Sequence, residues 1–199
     1  MIPKVEFRYS EVYDRMYRES TDMQSYLKKK KRKYPSREKI LNYANKVEKL
    51  WKKYEKQIFT EISKTMKLSW KEKKILCYII GCGRPFSDPL TIRVYEKKGT
   101  FIDTLTHELI HQIQIQNSKK YLKWHRYVLK HYPKEERITK THILLSAVHW
   151  KVLEKLFGKK RVREEIKKHC KDTGYRRAWE IVEKEGADKI IKIFIRLIK

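Results

Sequence analysis

The chain has 199 residues, enough for one domain or a compact domain with a helical extension, and too few for a multi-domain machine. Hydrophobic residues make up 40% of it and aromatic residues 12%, which excludes disorder throughout although 37% of the residues are charged. Lysine and arginine number 50 against 24 aspartates and glutamates, giving a net charge of +26. Such a charge favours a nucleic-acid or other anionic partner, but it is equally typical of a hyperthermophile composition rich in surface ion pairs.

Cysteine usage and hydropathy indicate the cellular location. Cys77, Cys82 and Cys170 form neither a CxxC pair nor an even-numbered framework, which argues against disulfides and a zinc knuckle. No apolar signal segment follows Met1, and the longest apolar run, residues 75–82, is far shorter than the roughly 20 residues of a membrane-spanning helix. We therefore expect a cytoplasmic protein without a transmembrane segment.

The first third of the chain predicts helices. A weak helical pattern runs from Ser10 to about Lys31 and ends in a basic run, residues 28–33, which we interpret as solvated, with a phosphate-contacting arm as the alternative. One long helix is predicted after Ser36, a suitable N-cap, because the following apolar residues alternate steps of three and four. This apolar stripe, which we assign to the core, consists of Ile40, Ala44, Val47, Trp51, Tyr54, Ile58 and Ile62.

Two runs in the middle of the chain predict strands. Residues 75–80 and 90–95 are rich in β-branched and aromatic side chains, and a loop containing glycine and proline separates them. Gly99 then predicts a break, and Thr100 with Asp103 three residues later predicts the start of a capped helix.

The remainder is predicted to be helical, with proline or glycine ending several of the segments. These helices are expected at about residues 121–132, 138–157, 160–170, 175–185 and from Ala187 onward. The predicted fold class is therefore α+β, mainly helical, with one small sheet. We expect residues 1–70 to form a helical extension packed on a domain of residues 71–199.

The sequence His107-Glu108-Leu109-Ile110-His111 lies within the helix predicted to begin at Thr100. Positions i and i+4 of a helix point the same way, so both imidazoles can reach one Zn²⁺, while Glu108 is displaced enough to hold a water that the metal activates. Roughly 0.02 such matches are expected by chance in a chain of this composition. The motif therefore predicts a zinc site with Glu108 as general base and acid in peptide hydrolysis.

The segment from Gly99 to His111 resembles the active-site helix of zincin metallopeptidases, and with the strands before it the resemblance covers about residues 75–116. It implies a catalytic core with a small sheet, an active-site helix and several C-terminal helices. It also implies a protein or peptide substrate and a third zinc ligand on a later element.

The residue expected as the third zinc ligand depends on which branch of the zincins the chain resembles. In gluzincins, including the minigluzincins, it lies on a later helix, and this layout implies His142, with Ser146 one turn later placed to bond the ring nitrogen of a ligand. Many gluzincins have an acidic residue where Ser146 stands. The alternatives are His149 and Glu154 on the same predicted helix, and His125, which resembles the third ligand of SprT-like proteases that act on proteins attached to DNA.

Three functions follow from these alternatives. The preferred one is a zinc-dependent metallopeptidase in which His107, His111 and His142 bind Zn²⁺ and Glu108 is catalytic. The others are a DNA-associated SprT-like protease and a non-catalytic, basic nucleic-acid-binding protein. The N-terminal extension can also cover the cleft, although no residue in it stands out as inhibitory.

Overall fold

The fold was taken from a computed structural model that describes residues 2–169 and 173–199. These residues form ten helices and one sheet of four strands, so the protein is mainly helical α+β, as predicted. None of the helices in these ranges combines the length and hydrophobicity needed to cross a bilayer. Cys77 and Cys82 are free, whereas Cys170, the predicted end of a helix, lies outside the described residues.

The helices in chain order are α1 (Glu11–Glu19), α2 (Thr21–Lys30), α3 (Arg37–Trp51), α4 (Glu55–Met66), α5 (Lys98–Gln116), α6 (Ser118–His131), α7 (Arg137–Phe157), α8 (Lys159–Lys168), α9 (Thr173–Glu185) and α10 (Ala187–Ile198). The strands are β1 (Lys4–Arg8), β2 (Lys74–Ile80), β3 (Phe86–Ser87) and β4 (Leu90–Arg93). The helices expected after residue 117 are all present, with ends close to the predicted ones.

The sheet has the order β1-β2-β4-β3. β1 pairs with β2 in parallel, with Phe7 opposite Cys77, and β2 pairs with β4 in parallel, with Ile79 opposite Ile92. β3 pairs antiparallel with β4 at the far edge. The three parallel strands therefore have their carboxyl ends at the same edge of the sheet.

Strands confined to the middle of the chain were a wrong expectation. β1 lies near the N-terminus, where three charged residues alternate with the half-buried Val5 and Phe7. This segment contains no apolar run. It is a strand because it pairs with β2, which lies about 70 residues later in the chain. β4 also ends at Arg93, two residues before the predicted end.

Both long helical patterns of the N-terminal part are divided. Ser20 ends α1 and caps α2, because its side chain accepts a hydrogen bond from the Met23 amide. The predicted helix from Ser36 is correctly capped but breaks into α3 and α4 at residues 52–54. The break places the carboxylate of Glu55 where it accepts hydrogen bonds from the Val5 amide at 2.8 Å and the Trp51 indole at 2.9 Å.

The predicted break at Gly99 was also wrong, since α5 begins at Lys98 and includes this glycine. Glycine costs only about 1 kcal/mol in a helix interior. In the first turn, moreover, the backbone amides need no partner within the helix, so the cost is easily offset by the packing of the residues that follow.

The described chain divides into two compact units. One contains residues 57–71 and 113–199, and the other contains residues 2–56 and 72–112, with the division falling inside α5. The expected packing of residues 1–70 on a domain of residues 71–199 stays a prediction.

Helix α7 is the centre of the unit that contains the C-terminal helices. It packs against α6, α8, α9 and α10, and every residue from His142 to His149 is buried. Gly158 ends the helix with a φ of 82°, a backbone conformation that side chains with a Cβ rarely adopt.

A buried carboxylate organises the unit that contains the sheet. Asp14 on α1 is fully buried, and it accepts hydrogen bonds from the Tyr34 hydroxyl at 2.6 Å, the Gly81 amide at 2.8 Å and the Tyr9 hydroxyl at 3.3 Å. A Cβ at Gly81 would overlap the Tyr34 ring, so this position favours glycine. Asp14 thus joins α1, the segment before α3 and the carboxyl end of β2.

Replacing Asp14 with alanine should lower the free energy of unfolding by about 3 kcal/mol, because the Gly81 amide and the Tyr34 hydroxyl lose a charged acceptor inside the core. Urea denaturation followed by circular dichroism measures the change. The matched control is Asp22→Ala, at an exposed position of α2, which should leave stability nearly unchanged. Equal stabilities of the two variants would contradict the role assigned to Asp14.

Candidate metal centre

Helix α5 positions His107, Glu108 and His111. The two histidines are one helical turn apart, and their ring centroids lie 5.2 Å from each other with the rings inclined at 72°. Both are half-buried, whereas Leu105 and Leu109 on the same helix are completely buried. The helix is therefore held by its apolar residues, and the imidazoles keep partial access to solvent.

His142 on α7 joins these two histidines. Each of the three residues offers one ring nitrogen, and the three nitrogens lie within 4.8 Å of one another. His142 is itself 6% exposed. Of the candidates for a third ligand, His142 is the one that the structure groups with His107 and His111.

Hydrogen bonds determine which nitrogen of His142 can bind a metal. Its Nδ1 lies 2.7 Å from the carbonyl oxygen of Ile138 and 3.1 Å from the hydroxyl oxygen of Thr141. The Thr141 hydroxyl donates to the carbonyl oxygens of Ile138 at 2.9 Å and Arg137 at 3.1 Å. A carbonyl oxygen only accepts, so Nδ1 must carry the proton. The neutral ring then keeps a lone pair on Nε2, the arrangement usual for a metal-binding histidine.

Glu108 is buried next to the sheet residues. It is 6% exposed, and burial raises the pKa of its carboxyl group to about 8. Burial also raises the pKa values of Cys77 and Tyr95, and the negative charge of Glu108 adds to both shifts. A carboxylate in such surroundings is disfavoured unless a cation lies close to it.

The other candidate ligands lie elsewhere. His125 is exposed on α6, and Glu154 pairs with Lys151 at 3.6 Å. His149 is fully buried on α7, and its ring lies 6.2 Å from that of Trp179. Ser146 is buried, but the Nδ1 atom of His142 is bonded to the Ile138 carbonyl one turn earlier.

One aromatic neighbour of the site was not identified from the sequence. The ring of Tyr175 on α9 packs edge-on against His142, with 4.4 Å between the centroids. The chain contains 13 tyrosines, and no spacing distinguishes this one. The ring nitrogens of His131 and His169 interact with the Tyr127 carbonyl and with the carboxylate of Glu165, respectively.

Three imidazole nitrogens form a donor set suited to borderline metal ions. Zn²⁺ is commonly held by three protein ligands with a fourth position left for water or substrate, and nitrogen is among its preferred donors. The same donors also bind Cu²⁺, Ni²⁺ and Co²⁺, so the ligand types alone do not select one metal.

No protein-family model, curated protein or solved structure matches the chain.

The surroundings of His149 make stability depend on pH. Burial lowers its pKa to about 4, a shift that the positive charges of His169, Lys168 and Arg161 increase and that the carboxylate of Glu165 opposes. Burial alone would raise the pKa of Glu165, but hydrogen bonds from His169 and Lys168 hold it well below its usual value. In acid, the unfolded chain therefore binds more protons than the folded chain at both positions.

The free energy of unfolding should fall by up to about 3 kcal/mol between pH 6.5 and pH 4 because of His149, and further below pH 4.5 because of Glu165. Urea denaturation across this range measures the slope. In His149→Gln the contribution from the upper part of the range should disappear, whatever the variant's absolute stability. An unchanged slope would show that His149 is not buried in its neutral form.

Proposed function

We propose that the protein is a zinc-dependent metallopeptidase that hydrolyses peptide bonds, with His107, His111 and His142 as ligands and Glu108 as general base. The observation that carries the proposal is the group of three ring nitrogens within 4.8 Å of one another, next to a buried glutamate. The HExxH spacing on one helix, α5, is an independent observation from the sequence that supports the same assignment.

The residues fit a zinc ion on three counts. The three nitrogens lie within 4.8 Å of one another, a separation comparable to twice the usual zinc–nitrogen distance of about 2.0–2.1 Å. The proton on Nδ1 of His142 leaves its Nε2 available as a ligand. Glu108 is not a member of the group of three, which leaves its carboxylate available for proton transfer.

When bound, zinc would polarise the carbonyl of the scissile peptide bond and lower the pKa of a water molecule to about 7. Glu108 would accept a proton from the attacking water at its carboxylate and donate it to the nitrogen of the leaving amine. Its position next to His107 on α5 places it beside the ligands without making it one. The partial exposure of His107 and His111 gives a substrate access to this side of the helix.

The substrate class is a protein or peptide, and we propose a cytoplasmic location. The SprT-like alternative depends on His125, which is exposed and outside the group of three histidines. The non-catalytic alternative predicts that no metal binds, and measuring the metal content tests it directly.

Purified protein should contain about one zinc per chain by plasma mass spectrometry. His107→Ala and His142→Ala should each lose most of it, because two remaining imidazoles bind zinc far more weakly than three. His125→Ala, a histidine on an exposed helix surface, is the matched control and should keep the metal. Absence of zinc from the unaltered protein, even after reconstitution, would reject the metallopeptidase.

Glu108→Gln should lower kcat/KM for hydrolysis of a quenched fluorescent peptide mixture by about 10²- to 10⁴-fold, because the amide cannot accept the proton. Its zinc content should be unchanged, which separates catalysis from metal binding. Glu154→Gln, a glutamate paired with Lys151 away from the site, is the control and should retain activity. Equal activity of the Glu108 variant and the unaltered protein would exclude the assigned role.

A further inference from the structure

A groove with basic walls lies within the unit that contains the sheet. It encloses about 660 Å³, within the range of about 300 to 1,000 Å³ typical of small-molecule sites. All residues that line it belong to residues 2–56 and 72–112. The three grouped histidines are not among them, so the groove is distinct from the proposed peptidase site.

The side chains that line the groove carry a net positive charge. Five cations line it, with Glu38 and Glu96 as the acidic residues among the lining side chains, so that the formal charge is +3. The cations are Arg32, Lys33, Lys39, Lys46 and Arg93. Among the described residues, none of these five takes part in an ion pair, whereas Lys52, which does not line the groove, pairs with Glu48 at 2.9 Å.

The backbone adds to the positive potential. Gly81 and Cys82 follow the end of β2, and Val94 to Glu96 follow the end of β4, so the groove lies at the carboxyl ends of two adjacent parallel strands. Ligands of sheets with parallel strands usually bind at this edge. Ser36 and Lys39 also line the groove at the N-terminal end of α3, a helix of 15 residues whose dipole favours an anion there.

The groove is built on a rigid support. Its floor at Gly81 and the segment that carries Arg32 and Lys33 are joined through the buried carboxylate of Asp14, which binds the Gly81 amide and the Tyr34 hydroxyl. Arg93 is half-buried, with its guanidinium 5.0 Å from the centre of the Tyr95 ring. These contacts fix the backbone segments that carry the cations, while the side chains of Arg32 and of the three lysines are exposed.

We propose that this groove binds a phosphate-bearing ligand of nucleotide size. A formal charge of +3 matches the three to four negative charges of a nucleoside di- or triphosphate, whereas a single carboxylate would leave most of the positive charge uncompensated. Arginine offers paired donors to phosphate oxygens, and lysine offers a mobile point charge. Free nucleotides and the backbone of single-stranded nucleic acid share this chemistry, and the groove accepts either as the source of the phosphates.

The test is isothermal titration calorimetry of the full chain with ATP, inorganic tripolyphosphate and adenosine at 150 mM salt. ATP and tripolyphosphate should bind and adenosine should not, because the phosphates provide the recognised charge. In Lys39→Glu/Lys46→Glu, binding should weaken by about 100-fold, since two favourable contacts become repulsive. The control Lys49→Glu/Lys53→Glu changes two exposed lysines outside the groove and has the same net charge; its affinity should change less than about threefold.

Competition between ATP and a single-stranded oligonucleotide distinguishes the two sources of phosphate. Displacement of ATP with a steep salt dependence supports a nucleic-acid backbone as the ligand. Binding of ATP that the oligonucleotide does not displace supports a free nucleotide. Equal loss of affinity in the two double variants, failure of both ATP and tripolyphosphate to bind, or tighter binding of a polyglutamate peptide than of ATP would each overturn the proposal.

Discussion

The periodicity of one uninterrupted helix, α5, is the constraint on which the candidate site depends. With 3.6 residues per turn, His107 and His111 lie on one face, while Glu108 turns into the protein and is 6% exposed. The same periodicity buries Leu105 and Leu109, so the residues that hold the helix and those that can bind a metal occupy different faces. An inserted residue between the histidines would widen the angle between them around the helix axis from about 40° to about 140° and place them on different faces.

Several charged groups are buried in the protein, and they differ in how their charge is compensated. Asp14 is fully buried, and hydroxyl and amide donors compensate its carboxylate. Glu165 is 4% exposed and is compensated by Lys168 at 2.6 Å and His169 at 3.2 Å. Glu108 differs, because burial raises its pKa to about 8. A buried carboxyl group whose pKa is raised in this way is typical of sites where a cation or a reacting proton is handled.

The lysines and arginines behind the large positive charge do not all have the same role. Many lysines and arginines form exposed ion pairs, such as Lys74 with Glu6 at 2.6 Å and Arg177 with Glu135 at 2.8 Å, which contribute little to stability individually. The cations of the groove at the strand ends have no such partners among the described residues. Ion pairing therefore accounts for part of the excess of lysine and arginine. The basic run at residues 28–33, which we interpreted from the sequence as solvated, ends beside this groove.

The sequence predicted those features that depend on local spacing. The helices from α6 to α10, the cap at Ser36 and the strands β2 and β4 follow from periodicity, capping residues and β-branched runs. The predicted stripe from Ile40 to Ile62 is largely buried, although the helix that carries it breaks at residues 52–54. The HExxH motif likewise needed only the geometry of one helix.

Features that depend on contacts between distant segments required the tertiary structure. β1 is a strand because β2 pairs with it, and the break before α4 places Glu55 to bind the Val5 amide. In the same way, the sequence by itself left four candidates for the third metal ligand, and the structure groups one of them, His142, with His107 and His111. The physical reason is that helical spacing determines which face a side chain occupies, whereas the packing of helices decides which faces meet.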